Sequence, residues 1–162
     1  MLHFLKTFPF TLLMCGILIA VALWTRTHAG PLAAVTRHSI GFSALHLPRG
    51  DWGKLLSSVF FTVGGVTFYE SLAMLALGVG AAERSFGTWR TVVLYWGIHL
   101  VTLISASLLI TLPLRAFENY RGALISEAVD VGPSAGYYGC LGAACWMMLA
   151  RWRMVVITGI VL

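Results

Sequence analysis

The residues with most chemical potential lie in "DVGPSAGYYGCLGA", residues 130–143, where Ser134 sits in a run of small residues that leads into an apolar segment. A serine hydroxyl becomes a nucleophile only when a base within about 2.6–3.2 Å takes its proton and preorganised donors meet the developing oxyanion. The same run has a second use. Gly132 and Gly136, then Ala135, Gly139 and Ala143, stand at four-residue spacing, a pattern that lets helices approach closely in lipid. Glu70, within "TFYES", is a carboxylate inside an apolar stretch, where its cost calls for a partner group. Either such a partner remains to be named, or the residue is protonated or satisfied locally by Ser71, Thr67 or water. His99, within "GIHLV", has no second histidine, cysteine or carboxylate at ligand spacing and reads as bonded inside a helix bundle rather than to a metal. Cys15, Cys140 and Cys145 lie in apolar stretches without disulfide or metal spacing and read as small buried residues. No metal and no cofactor is expected.

These groups need apolar elements to position them. Of the 162 residues, 59% are hydrophobic and only 10% are charged, against about 25% charged in soluble domains. Such a chain is solvated mainly by lipid. Its net charge of +5 therefore points to membrane lipids and away from nucleic acid, because the cations cluster at the ends of apolar runs. Lys6 precedes the first run, but no small-residue cleavage site follows, so that run reads as a retained anchor.

A hydrocarbon core of about 30 Å needs about 20 apolar residues. On that measure the sequence predicts an all-α polytopic membrane protein with four full spans and the start of a fifth. The spans cover about Phe8 to Trp24, Leu55 to Ala82, Thr91 to Leu114, and Ser134 to Ala150. The whole chain, 1–162, reads as one transmembrane domain ending within the fifth helix. Residues 25–54, broken by Gly30, Pro31, Gly41, Pro48 and Gly50, form an extramembrane first loop with Trp52 at its re-entry. Five cations (Lys6, Arg84, Arg90, Arg151, Arg153) fall on one side and six (Arg26, Arg37, Arg49, Lys54, Arg115, Arg121) on the other. The shorter, denser loops of the Lys6 side favour a cytoplasmic N-terminus.

"GPSAGYYGCLGA" resembles the rhomboid motif, in which a serine is followed five residues later by glycine and then by L-G-A. Gly132, Ser134, Gly139, Leu141, Gly142 and Ala143 fall in register. "WGKLLSSVF" resembles the family's tryptophan-led entry into its second helix. "LALGVGAAERSFGTWRTVVLY" resembles the stretch that joins its helices 2 and 3, with Gly80, Glu83, Arg84, Gly87, Trp89, Arg90 and Tyr95 matching. The resemblance covers roughly residues 50–150 and implies a rhomboid-like helical bundle with Ser134 at the nucleophile position. It also implies that the face of helix 2 bearing Glu70 forms a side gate where other transmembrane helices enter. Glu83 and Arg84 would anchor the turn after that helix.

The departures decide the expected activity. Active rhomboids take their base from a histidine on a sixth helix, beyond residue 162 here. The helix-2 pair that helps stabilise the oxyanion aligns with Thr67 and Ser71, and Ala135 follows the serine where glycine is usual. Depth along the helices argues the same way. Ser134 lies roughly 25 Å from Arg151, Thr67 roughly 25 Å from Arg84, and His99 only roughly 14 Å from Arg90, which puts His99 about two turns too deep to serve Ser134. His28, His38 and His46 belong to the first loop, with no spacing that aims them at the serine. The sequence is thus expected to be a non-proteolytic rhomboid-like protein that binds transmembrane helices of partner proteins. An intramembrane serine protease with its histidine beyond residue 162 is the alternative. A transporter relay through Glu70 and His99 is weaker, since the two stand at different depths.

Overall fold

The computed structural model describes residues 8–117 and 120–147. These residues are helical, with two isolated bridges (Pro31 with Gly64, Phe42 with Asp130) and no strand among them. Helix α1 spans Pro9–Thr25, and Pro9 at its first position is preorganised for a helix start. A long connection carries the short helices α2 (Ala34–Ile40), α3 (His46–Arg49) and α4 (Gly53–Ser57), the last continued by a 3-10 turn over Ser58–Phe60. Helix α5 spans Val66–Phe86 and α6 spans Thr88–Ala106. A π-helical turn at Ser107–Thr111 and α7 (Leu112–Ala116) extend α6, and α8 (Tyr120–Glu127) and α9 (Ser134–Met147) follow.

The expectation of four full spans and the beginning of a fifth is corrected. Among the described residues, one helix, Thr88–Ala116, is long and apolar enough to cross a membrane. The first expected span has 17 helical residues, about 25 Å. The second does not begin at Leu55, because Gly64 and Gly65 take positive φ values of 93° and 63°, a conformation open to glycine. The helix that starts after them carries Glu70, Glu83 and Arg84 within 21 residues. The fourth is helical from Ser134 to Met147. Its expected end, the fifth span, Lys6, Arg151 and Arg153 lie outside the described residues.

Helix Thr88–Ala116 has an inverted surface. Thr91, Tyr95, His99, Ser107 and Thr111 are buried, while Trp89, Val93, Val101, Leu108, Leu109 and Ile110 are exposed. Polar groups inside and apolar groups outside suit a helix that faces lipid on one side and protein on the other. Around this stripe the core gathers Phe10, Met14 and Leu18 of α1, Leu75 and Val79 of α5, and Tyr137 and Cys140 of α9.

Close helix contact explains why glycines are placed where they are. A Cβ on Gly78 would meet the Tyr137 carbonyl oxygen at 2.6 Å, and one on Gly136 or Gly139 would meet the Tyr95 ring or Ile98 at 2.5 Å. α9 is therefore clamped between α5 and α6. The long connection is tied down by backbone bonds: Leu32 N–H donates to Val63 O (2.8 Å) and Gly65 N–H to Thr27 O (2.8 Å). Phe42 and Asp130 exchange a pair at 2.9 and 2.7 Å.

Candidate functional site

Ser134 is the first residue of α9, and it is half-buried. Gly132, two residues before it, has φ 150°, and its N–H donates to Ser58 O at 3.0 Å. Tyr137 N–H donates back to Pro133 O at 3.1 Å and closes the first turn. No hydrogen bond joins Ser134 to Thr67, Ser71 or a histidine among the described residues. Thr67 is exposed. Ser71 is buried and interacts with the Tyr137 hydroxyl. The two residues aligned with an oxyanion role stand one turn apart on α5, Thr67 exposed and Ser71 spent on a neighbouring tyrosine.

His99 is bonded to a backbone group inside the bundle, as its sequence setting led us to expect. It is 1% exposed, and its Nε2 lies 3.0 Å from Leu55 O. A carbonyl only accepts, so Nε2 carries the hydrogen and Nδ1 is a lone pair. That Nδ1 is buried with no partner, as are the Tyr95 hydroxyl and Thr62 Oγ1. Because α4 and the 3-10 turn fold into the bundle, the turn Leu55–Ser58 holds both His99 and the Gly132 amide. Asp130 lies within electrostatic reach of His99 and of Arg37. Depth counted from Arg90 could not reveal this, since residues 55–60 read as the start of a span.

Glu70 is exposed on α5. Val66, Glu70, Ala73 and Leu77 follow at spacings of four, three and four, and all are exposed, forming one outward face of the helix. The carboxylate stands on an apolar stripe.

Glu83 takes a role its sequence position concealed. Only 2% exposed, its carboxylate accepts Phe10 N–H (3.0 Å), Thr11 N–H (2.9 Å) and the Thr11 hydroxyl (2.7 Å). These are the free donors of the first turn of α1, at the positive end of its dipole. The Glu83 backbone carbonyl also accepts Gly87 N–H at 2.9 Å, and Gly87 has φ 80°. Glu83 therefore closes the α5–α6 turn and caps α1 together. Arg84, Trp89 and Arg90 are exposed beside it.

In the connecting segment, His46 Nδ1 accepts the Ser43 N–H (2.9 Å), and Lys54 Nζ lies 3.1 Å from Nε2. Burial and the Lys54 charge push this histidine below its ordinary range. Arg37 donates twice to Val129 O, at 3.1 and 2.8 Å. Three or more metal-ligating side chains are nowhere gathered among the described residues.

No family model, no curated protein and no solved structure matches the chain.

Proposed function

We propose that this chain is a membrane-associated, rhomboid-like protein without peptidase activity that docks transmembrane helices of partner proteins. Helix Thr88–Ala116 would enter the bilayer, with Arg84, Arg90 and the N-terminal side facing the cytoplasm. The observation that carries the reading is the outward face of α5, where Val66, Glu70, Ala73 and Leu77 are all exposed. An exposed apolar stripe with a carboxylate invites an apolar helix that offers a cation or a hydrogen-bond donor. Ser134 supports the non-catalytic half of the reading, since among the described residues no base or oxyanion donor is joined to it, and its neighbours Gly136 and Gly139 are spent on close packing.

A second reading keeps Ser134 as a nucleophile of an intramembrane serine protease. It draws on Ser134 standing at the first position of α9, with its histidine in a sixth helix beyond residue 162. Fluorophosphonate labelling of the protein in nanodiscs separates the two. The favoured reading expects no labelling beyond that of Ser134→Ala. Labelling lost in that variant, together with cleavage of a transmembrane substrate, establishes the second.

A further inference from the structure

The end of the bundle formed by the start of α1, the close of α5 and the start of α6 is built around one committed acid. Both oxygens of Glu83 are taken by Phe10 and Thr11. Its neighbour Arg84 is exposed and meets no carboxylate among the described residues. Arg90 is exposed at the same end, as is Trp89, at 76%. Arginine and tryptophan together at a helix end suit the headgroup level of a bilayer.

Arg84 also closes an apolar cavity of about 420 Å³ between α1 and α5, lined by Leu12, Cys15, Ala76, Leu77 and Gly80. Its volume falls in the range of small-ligand sites. From Ala76 to Arg84 it runs along roughly 12 Å of helix. The lining is apolar apart from Thr11 and the arginine, so its occupant must be apolar along its length and anionic at one end. Small residues on α5 (Ala76, Gly80, Ala81) leave the space open.

We propose that this groove holds one acyl chain of an anionic phospholipid, with Arg84 receiving its phosphate. This rests on the membrane association proposed above, and the groove shares Leu77 with the helix-docking face. A second apolar cavity, lined by Phe86, Leu94, Ala143 and Trp146, has Arg90 in the corresponding place. The arrangement thus recurs on the other flank of the same end.

Cys15 supplies the readout, being a free, half-buried thiol on the groove wall. The full chain in detergent micelles is alkylated with N-ethylmaleimide, and labelling at Cys15 is followed by peptide mass spectrometry. Phosphatidylglycerol or phosphatidylcholine with identical chains is titrated in, with inorganic phosphate as a third arm. Phosphatidylglycerol should slow Cys15 alkylation at lower mole fraction than phosphatidylcholine, and phosphate alone should not. Arg84→Gln should weaken the phosphatidylglycerol effect about fivefold, the worth of one cation at an anionic surface. Ala76→Trp, at an exposed position on the groove wall, should fill the space and abolish lipid dependence. Equal protection by the two lipids, protection by phosphate alone, or full protection in Arg84→Gln would overturn the site. Alkaline carbonate extraction of native membranes tests membrane association separately, so the two can fail independently.

Discussion

Glu70 and Glu83 lie on the same helix, about 20 Å apart along α5, and their surroundings are opposite. Glu83 is buried and fully engaged by three donors from α1. Glu70 stands on an exposed apolar face. A buried carboxylate is tolerated when hydrogen bonds replace its water, and here a helix start more than seventy residues away in sequence supplies them. The inner carboxylate holds the bundle together. The outer one has no comparable set of donors among the described residues.

The largest expected effect is therefore Glu83→Ala. It strands two backbone N–H groups and a hydroxyl in a buried site and should cost about 3 kcal/mol, read by chemical unfolding in detergent. Glu83→Gln should fall between wild type and alanine, and amide exchange at Phe10 and Thr11 should quicken in both. A loss below about 1 kcal/mol would remove the contrast between the two acids.

Gly78→Val comes next. Its Cβ would meet the Tyr137 carbonyl at 2.6 Å, and such overpacking costs about 2 kcal/mol. Gly142→Ala is the control, because nothing lies within 4 Å of its added carbon, and it should change stability by less than about 0.5 kcal/mol. Equal effects at both sites would mean that the clamp on α9 is loose.

His46 asks whether donors from the same short segment can hold a buried polar group as Glu83 is held from afar. Burial first, then the Lys54 charge, lowers its proton affinity in the folded state. The folded protein therefore binds fewer protons at this site than the unfolded chain. Stability from His46 is present above its ordinary value of about 6.5 and is lost as pH falls below it. The unfolding midpoint should drop between about pH 7.5 and about pH 5, and His46→Leu should flatten that dependence. A slope unchanged in His46→Leu assigns the titration elsewhere.

Ser134→Ala should have the smallest effect, within about 0.5 kcal/mol, since among the described residues no hydrogen bond to a base or an oxyanion partner depends on that hydroxyl. A larger loss would point to an unrecognised bond at the start of α9.

Helical segments were legible in the sequence because their apolar runs are long. α9 begins at Ser134, where the polar stretch gives way to small and apolar residues, and α1 follows its apolar run. Reading those runs as full spans failed for physical reasons. α1 is too short, and α5 starts only after the Gly64–Gly65 turn and carries three charges. The role of Glu83 was hidden because its donors, Phe10 and Thr11, lie more than seventy residues away in sequence. The link from His99 to Leu55 was hidden because residues 53–60 fold as a short helix and a 3-10 turn. The exposure of Glu70 was not readable either, since a single apolar stretch does not say which of its faces is covered.

The outward face of α5 is proposed to accept a helix through Glu70. This docking is tested most directly with a synthetic apolar helix of about 20 residues carrying a central lysine, incorporated into nanodiscs with the full chain and followed by energy transfer. The lysine helix should associate more tightly than the same helix with leucine at its centre, and Glu70→Leu should remove the difference without lowering stability. Equal association of both helices, or a lysine preference that survives in Glu70→Leu, would contradict it.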